Sequence, residues 1–411
     1  MNRALALARV EHRVRPMLAS VLPADKFIKF YSLIRTYVLD MLASSEPCAN
    51  VPRSPVNLSG EKFSLKFRNG LSNAAGFDKD GSLLPFNYLL GAGYAVVGTV
   101  LDKPNAGNLM PVGNRLVNPW APFPHSKSAI NTLGLPSKGV DVVVENIRDF
   151  REAFEPEDFP IVASVMPHPK DTDMGQKLHS ISDCVRKLLP VVDLFEVNDS
   201  CPNTSHDNSD LELRVNVVLN LRNDYFDKTG IYRPVFFKLR DAGDANHTVE
   251  VFSRLRVDGV VLTNTQIDYA KIRKKLHPKD LKIFDRYMEI SGQYAKDGNG
   301  KPLRGGVSGR VIKEATLSEI VKASKAIEQQ SSHLQLIHVG GIETHKDVEN
   351  GRAVSHVALQ EWYTGFMDAL GVIHPDRLYK SMILGPPKKA PYEFKGPIYS
   401  SWTREKTLVV P

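Results

Sequence analysis

Large apolar side chains recur with a helical period over the first 45 residues. They stand three or four positions apart at Phe27, Phe30, Tyr31, Ile34, Tyr37, Val38 and Met41. This spacing predicts an N-terminal helical segment over residues 1–45 with one apolar face. Basic side chains flank that face at Lys26, Lys29 and Arg35. The pattern leaves open whether the face packs onto the rest of the protein or meets a membrane or an apolar ligand.

The period changes after a proline-containing linker, which we predict over residues 46–59. Eight short apolar runs then alternate with longer segments of helical pattern. The predicted strands are residues 72–75, 95–98, 161–165, 194–197, 235–238, 259–262, 336–339 and 356–359. Eight such units predict an α/β protein with a (β/α)8 TIM barrel over residues 60–384. A doubly wound sheet is the alternative, but no GxGxxG motif follows the first strand.

Two stretches depart from this repeat. Residues 266–304 follow the sixth predicted strand and contain the basic run KIRKKLHPKDLK. A connection of this length is a lid, a small insert or a disordered segment. Residues 385–411 are rich in Pro and Lys, and we predict that they form a tail on the surface.

The composition narrows the class of function. Of the 411 residues, 42% are hydrophobic and 24% are charged, which predicts a packed core. The net charge of +7 favours anionic partners, but no basic stripe with interleaved aromatic residues indicates nucleic-acid binding. The three cysteines form no disulfide framework, and we expect no metal site. No apolar run could span a membrane, while the Arg-rich first 18 residues are typical of a transit peptide or a membrane-surface helix.

Small and polar residues follow the predicted strands. Barrel active sites lie at the C-terminal ends of the strands, so these residues are expected to share one mouth. The Gly pair 340–341 and the pair Tyr363 and Thr364 follow the seventh and eighth strands, where barrels often hold a phosphate. Lys79 and Lys238 could hold a carboxylate or stabilise a reduced flavin there. Cys201 lies among hydrogen-bonding residues and is either a small buried thiol or a proton-accepting base.

Several motifs resemble those of the dihydroorotate dehydrogenases. In family order they are NAAGFDKDG (73–81), GYAVVGTVLDKPNAGN (93–108), INTLGLP (130–136), VNDSCPNT (197–204), DGVVLTNT (258–265), GGVSGR (305–310) and VGGI (339–342). The resemblance covers residues 60–375, and AAGFDK and VNDSCPNT are its most specific parts. It implies an FMN-dependent barrel enzyme that oxidises dihydroorotate to orotate in pyrimidine biosynthesis.

The resemblance also implies roles for individual residues. Cys201 would be the base that removes the C5 proton while a hydride passes from C6 to the flavin. The FMN site would be formed by Ala74, Ala75, Gly76, Thr99, Asn198, Lys238, Thr263, Ser308, Gly309, Gly341, Tyr363 and Thr364. The substrate would be held by Lys79, Asn131, Thr132, Leu133, Gly134, Leu135, Asn198, Asn203, Asn264 and Thr265.

Features of two branches of this family are combined in the chain. The N-terminal helical segment and the motif YTGF (363–366) resemble the quinone-reducing branch, which associates with the membrane. This implies quinone as acceptor and a peripheral location on the bacterial inner membrane, or the mitochondrial inner membrane in a eukaryote. Cysteine at position 201 and the GLP of INTLGLP resemble the soluble branch, which uses fumarate or NAD.

Some positions depart from the family pattern. VASVMPHPK (162–170) lacks an expected FMN-contacting asparagine, LRDAG (239–243) differs from the usual motif, and Glu361 and Trp362 stand near the expected phosphate site. A dihydropyrimidine oxidoreductase of the soluble type and an inactive flavin-binding paralogue therefore remain alternatives.

Overall fold

A computed structural model describes residues 3–47, 51–198, 211–296 and 300–385. Eight parallel strands form its central sheet: β3 (Leu71–Asn73), β4 (Ala95–Val100), β9 (Ile161–Val165), β10 (Leu194–Asn198), β11 (Val235–Leu239), β12 (Gly259–Leu262), β14 (Gln335–Val339) and β15 (Val357–Trp362). Their order around the sheet is β3-β15-β14-β12-β11-β10-β9-β4. All eight predicted strands are confirmed, with ends that differ by at most three residues.

The two outer strands of this sheet meet each other. The Gly93 amide donates to the Leu71 carbonyl at 2.8 Å, and the Gly98 amide donates to the Asp78 carbonyl at 2.8 Å. These bonds join the β3 side to β4, so the sheet curls into a nearly closed barrel. The (β/α)8 prediction is thereby confirmed, and the doubly wound alternative is wrong.

Helices surround the barrel strands. They are α3 (Leu84–Leu90), α4 (Val140–Phe154), α5 (Met174–Leu188), α6 (Leu211–Thr229), α7 (Ala245–Leu255), α10 (Lys313–Gln329), α11 (His345–Arg352), α12 (Thr364–Val372) and α13 (Leu378–Leu384). Most strand residues are buried, which explains why the strands appear in the sequence as continuous apolar runs without alternation.

A hairpin of β1 (Val56–Gly60) and β2 (Phe63–Phe67) precedes the barrel. The linker predicted over residues 46–59 was therefore wrong from Val56 onward. The proline-rich composition hid a short alternating pattern in which Leu58 is fully buried and pairs with Leu65.

The predicted N-terminal helical segment forms α1 (Arg3–Val21) and α2 (Ala24–Ala43). Helix α1 packs against α12, where a Cβ on Gly371 would approach the His12 Cβ to 2.4 Å, so glycine permits this contact. On α2, Ser32 exchanges hydrogen bonds with the backbone of Trp120 at 2.9 and 3.0 Å. No helix in the described parts of the chain is long and apolar enough to cross a membrane.

The 266–304 stretch forms a small folded insert, which was one of the three predicted possibilities. It contains α8 (Tyr269–Lys275) and α9 (Pro278–Tyr294), and α9 packs against α2. Next to it lie a hairpin, β5 (Met110–Val112) with β6 (Arg115–Val117), and a three-stranded antiparallel sheet of β7 (Trp120–Phe123), β8 (Ser128–Asn131) and β13 (Gly306–Gly309). The Tyr287 hydroxyl donates to the Pro119 carbonyl at 2.9 Å and fixes α9 on this sheet.

Buried apolar side chains form separate clusters. One fills the barrel interior and another lies between the barrel and its helices. A third, which we call the insert core, joins α2, the three-stranded sheet and the insert helices through Phe27, Tyr31, Phe123, Ile283 and Tyr287. The helical segment is thus part of the folded protein and is anchored on two cores.

Candidate functional site

A cavity of about 220 Å³ opens at the C-terminal ends of the barrel strands. Its walls include most of the residues that the sequence proposed for the cofactor and the substrate. These are Ala74, Ala75, Gly76, Lys79, Thr99, Asn131, Leu133, Leu135, Asn198, Lys238, Thr263, Asn264, Thr265, Ser308, Gly309, Gly341, Tyr363 and Thr364. The structure therefore brings residues from nearly the whole length of the barrel into one mouth.

Other predicted residues lie elsewhere. Thr132 is fully buried behind the wall, and its Oγ1 lies 3.1 Å from the Tyr287 hydroxyl of α9. The Gly134 carbonyl accepts a hydrogen bond from Asn105, and a Cβ at this glycine would approach the Asn108 amide nitrogen to 2.6 Å. Glycine at 134 is therefore explained by loop packing. Cys201 and Asn203 lie outside the described residues, so their roles stay predictions.

A chain of hydrogen bonds lines the inner wall. The Asn264 amide donates to Asn198 Oδ1 at 3.0 Å, and the Asn198 amide donates to Thr99 Oγ1 at 3.0 Å. Below them, Ser164 Oγ donates to Glu196 Oε1 at 2.6 Å. Each amide is held in one orientation by its neighbour, so the wall offers a fixed set of polar groups to a planar ring.

Three glycines test whether a flavin phosphate and ring fit this mouth. At Gly76, φ is +96° and a Cβ would meet nothing within 4 Å, so the backbone faces open space. At Gly309, φ is +95° and a Cβ would approach the Lys127 carbonyl to 2.5 Å. At Gly341, φ is +75° and a Cβ would lie 2.4 Å from the Lys313 Cα. These positions need glycine, and they keep backbone close to the cavity, as a bound nucleotide requires.

The residues around the first turn of α12 suit an anion. This helix begins at Thr364 beside the glycines, and its N-terminus carries unpaired amides and the positive end of the helix dipole. Ser308 Oγ and Thr364 Oγ1 lie 2.8 Å apart at the same place. Residues from the ends of β13, β14 and β15 therefore fit the phosphate group that the sequence led us to expect.

Lys238 lies on the cavity floor between two carboxylates. Its Nζ is 3.1 and 3.3 Å from the two Glu196 oxygens and 3.8 Å from a Glu361 oxygen. Burial, and next the charge of Glu196, raise the pKa of Glu361 to about 8 against the opposing effect of Lys238. Glu361 was predicted near the phosphate site; instead it lies inside the barrel, because strand alternation turns it inward.

A second carboxyl group with a raised pKa lies behind the substrate side of the mouth. Asp78 is fully buried next to the cavity-lining Lys79, and one of its oxygens accepts from the Gly81 amide at 2.8 Å. Burial, and next the charge of Asp80, raise the pKa of Asp78 to about 7. The Asp78 hydrogen bond holds the tight turn after Lys79, and so fixes the direction from which this lysine enters the mouth.

The cavity continues from the mouth to the space between α1 and α2. This outer part, which we call the helix channel, is lined mainly by Ala8, Tyr31, Ile34, Val38, Leu39 and Met367. Arg35 stands where the two parts join, and its guanidinium donates to the Tyr363 hydroxyl at 3.1 Å. An apolar molecule in the channel would therefore reach the edge of the barrel mouth.

Three charged residues close one side of the helix channel. Arg15 donates to both Glu11 oxygens at 2.7 and 2.6 Å and to Asp368 at 2.6 Å. Burial alone would lower the pKa of Arg15, but the hydrogen bonds and charges of the two carboxylates raise it overall. This cluster, which we call the helix clamp, joins α1 to α12 across the wall of the channel.

Glu196, Arg35 and the helix clamp were not predicted as parts of the site. The signal for Glu196 is an acid flanked by apolar residues within a buried strand, which is unusual in a barrel interior. Arg35 was noted only as a basic flank of the apolar stripe. The clamp joins residues more than 350 positions apart, and no local pattern indicates it.

A larger hollow of about 690 Å³ lies at the opposite end of the barrel, beside the β1–β2 hairpin. Its wall contains Phe63 stacked on Tyr232, and Arg222 paired with Asp258 at 2.9 Å. Because these polar groups already bind each other and active sites lie at the other barrel face, we assign the chemistry to the strand-end cavity.

Comparisons with known proteins agree with this assignment. The family described as Dihydroorotate dehydrogenase matches residues 57–367. A relative named Dihydroorotate dehydrogenase (quinone), from Pectobacterium atrosepticum, is 27% identical over 342 residues, which cover 81% of this chain and 87% of the relative. One with the same name from Stenotrophomonas maltophilia is 28% identical over 317 residues, covering 74% and 78%.

The fold is also found in a solved structure. The crystal structure of DHODH in complex with ferulenol from Eimeria tenella superposes with a TM-score of 0.66 at 20% identity, covering 85% of this chain and 89% of that one. The similarity at this identity concerns the fold, whereas the family match extends over three quarters of the sequence. The chain therefore belongs to the dihydroorotate dehydrogenase family.

Proposed function

We propose that this protein is an FMN-dependent dihydroorotate dehydrogenase that forms orotate in pyrimidine biosynthesis and reduces a quinone. The observation that carries this proposal is the single cavity that joins the barrel mouth to the helix channel. One end is polar and suits a ring carboxylate, and the other is apolar and suits a quinone. The names of the quinone-type relatives agree with this division.

The polar end offers groups for a carboxylated ring. Lys79 supplies a positive charge, and Asn131, Asn264 and Thr265 supply hydrogen-bonding groups on the same wall. Dihydroorotate loses a hydride from C6 and a proton from C5, which leaves the C5–C6 double bond of orotate. We assign the proton to the Cys201 thiolate, because the family resemblance places the base there. Bound FMN would supply the redox chemistry, taking the hydride and delivering two electrons to the acceptor.

The FMN site is assigned to the glycine-rich strand ends. Gly309, Gly341 and Thr364 would hold the phosphate, and the chain of Asn198 and Thr99 would face the ring. Lys238 would add a positive charge to this site, since an ammonium group favours electron-rich states of a flavin. These residues fit the group because Gly76, Gly309 and Gly341 line the cavity without a side chain, and a Cβ at Gly76 would point into open space.

The acceptor side is assigned to the helix channel. Arg35 lies between the channel and the mouth and is positioned to bind a quinone oxygen while it contacts Tyr363. The exposed apolar residues Val10, Met17, Val21 and Phe30 lie on the outer surfaces of α1 and α2. We propose that these surfaces rest on a membrane from which the quinone enters, so that the protein is peripheral to that membrane.

Two variants separate the two half-reactions in an anaerobic spectroscopic experiment. We expect Leu39→Trp to fill the helix channel and to slow flavin reoxidation by a soluble quinone at least tenfold, with flavin reduction by dihydroorotate unchanged. Cys201→Ala should do the opposite and slow flavin reduction by roughly 10²- to 10⁴-fold, the usual contribution of a positioned base. Thr36→Trp, at an exposed position of the same helix, is the matched control and should leave both steps unchanged.

The same samples identify the electron acceptor and the cofactor. Acid-released flavin should be FMN, and fumarate or NAD should not reoxidise the reduced protein. Reoxidation by fumarate at the quinone rate, or normal quinone turnover in Leu39→Trp, would contradict the assignment of the channel. Absence of bleaching by dihydroorotate in the wild-type protein would contradict the substrate.

A further inference from the structure

The interior of the barrel contains a charged layer beneath the cavity. Successive residues of a strand point to opposite faces, so Glu196, Lys238 and Glu361 point inward from β10, β11 and β15. Apolar side chains fill the layer below them, namely Leu194, Phe236 and Leu359. The side chains of Glu196 and Glu361 are each 1% exposed and that of Lys238 is 6% exposed. This layer, which we call the barrel triad, is closed off from bulk water.

The two carboxylates of the barrel triad are not equivalent. Glu196 accepts hydrogen bonds from Lys238 at 3.1 and 3.3 Å and from Ser164 at 2.6 Å. Glu361 approaches Lys238 only to 3.8 Å, and neither of its oxygens has a hydrogen-bond partner within the described ranges. A buried carboxylate without donors is far less stable than a buried carboxylic acid. The geometry therefore favours the charged form of Glu196 and the neutral form of Glu361.

Among the residues that the structure describes, the surroundings of Glu361 supply no second cation. Its neighbours in the sheet are Ser72 of β3 and Val339 of β14, neither of which carries a charge. The titratable groups that act on it are Glu196 and Lys238, while the buried Tyr94 phenol feels its charge in turn. One ammonium group cannot neutralise two carboxylates, so ionisation of both would leave a net negative charge inside the barrel.

We propose that Glu361 is a positioning residue that retains a proton at neutral pH, so that Glu196 is the charged acid of the barrel triad and its charge balances that of Lys238. The link to the flavin rests on the proposed function, because Lys238 lines the cavity while the two acids lie below it. The raised pKa of Glu361 is about 8, so above this pH Glu361 loses its proton and the cavity floor becomes negatively charged. A negative charge there opposes the addition of electrons to a flavin above Lys238.

Infrared difference spectroscopy of the FMN-loaded protein detects this proton directly. At about pH 6 we expect the wild-type protein to show carbonyl bands from two buried carboxylic acids, Asp78 and Glu361, and to lose both by about pH 9.5. The band that remains in Asp78→Asn at about pH 6 is the Glu361 band. Glu361→Gln should lack this band at both values. Glu196→Gln is the matched variant: with a single acid left beside Lys238, Glu361 should ionise, and the band should be absent at neutral pH as well.

The flavin midpoint potential is the second measurement. It should be nearly equal in the wild type and Glu361→Gln at about pH 6, and more negative in the wild type at about pH 9.5. Persistence of the Glu361 band in Glu361→Gln, or in Glu196→Gln at neutral pH, would overturn the proton assignment. Equal potentials at the higher pH would overturn the link to the flavin. The band does not depend on turnover, so a protein with the band that dihydroorotate fails to bleach would contradict only the proposed function.

Discussion

The barrel triad and the helix clamp have the same number of cations and carboxyl groups but pair them differently. Each places one cation between two carboxylates, Lys238 in the barrel and Arg15 between α1 and α12. Arg15 satisfies both of its acids with hydrogen bonds of 2.6 to 2.7 Å. Lys238 is shared unequally and leaves Glu361 without a hydrogen bond inside the described part of the protein.

The difference follows from the shape of the cation and from access to water. A planar guanidinium has donors for two carboxylates at once, whereas an ammonium group is a compact charge that meets one partner well. The clamp residues are 12–14% exposed and those of the triad 1–6%. The clamp is therefore suited to holding two helices together, and the triad to adjusting the charge of a site.

Loss of the triad cation should have the largest effect. We expect Lys238→Met to lower the free energy of unfolding by about 3–5 kcal/mol at neutral pH, because two buried acids lose their only close cation among the described residues. The deficit should grow as pH rises, since both acids then resist ionisation. Urea unfolding at several pH values measures it. The double variant Lys238→Met/Glu196→Gln should recover much of the loss; if it recovers none, packing of the lysine stem explains the effect.

Loss of the clamp cation should have a smaller effect. We expect Arg15→Met to cost about 1.5–3 kcal/mol, since charged hydrogen bonds are lost while Glu11 and Asp368 still reach water. Quinone reduction should suffer more than flavin reduction, because α1 forms a wall of the helix channel. Arg13→Met, at an exposed position of the same helix, is the control for urea unfolding and both half-reactions. An equal effect of the two variants would show that the clamp contributes little.

Neutralising the unpaired acid should have the smallest effect, and it should be a gain. The folded pKa of Glu361, about 8, lies above its ordinary value of 4.5. Stability from the bound proton is thus complete below pH 4.5 and is lost as pH rises to about 8. We expect Glu361→Gln to stabilise the protein by about 1–2 kcal/mol at neutral pH, since burying the amide offsets part of the gain.

A carboxylate with the opposite shift is the control for that gain. Hydrogen bonds from Arg310 and Lys313 outweigh the effect of burial and lower the pKa of Glu343. Glu343→Gln should therefore destabilise the protein at neutral pH, and the difference should vanish as pH falls through the lowered pKa. The urea midpoint of each variant, measured relative to the wild type across the pH range, gives the slope of its stability difference against pH. If the stability differences of the two variants change with pH in the same way, the contrast between a paired and an unpaired acid is wrong.

The sequence predicted the barrel because each buried strand leaves a local apolar run followed by a turn. It also predicted most of the mouth, because small and polar residues at strand ends share a fixed place in this fold. Lys238 was predicted as a residue of the mouth, but its partners were not. Glu196 and Glu361 meet it only through the register of separate strands, which depends on closure of the sheet.

Other features depended on contacts that leave no local pattern. Thr132 stands next to the cavity-lining Asn131 in sequence, yet strand alternation directs it to Tyr287. The helical character of residues 1–45 was predicted correctly, whereas its attachment through Arg15 required residues from the far end of the chain. Helices in the 266–304 insert were obscured by its basic composition, although α9 buries Ile283, Phe284, Tyr287 and Ile290.

The insert core has a consequence for how the protein opens. Its three-stranded sheet contributes Asn131, Ser308 and Gly309 to the cavity, although the sheet packs on α2 and α9 instead of on the barrel interior. Separate cores often unfold as separate cooperative units, each with its own free energy of opening. Local opening of this unit would uncover the cofactor site with the eight strands intact. Exchange of a bound flavin would then depend on this local step, and a molecule in the helix channel would slow the exchange by holding the unit closed.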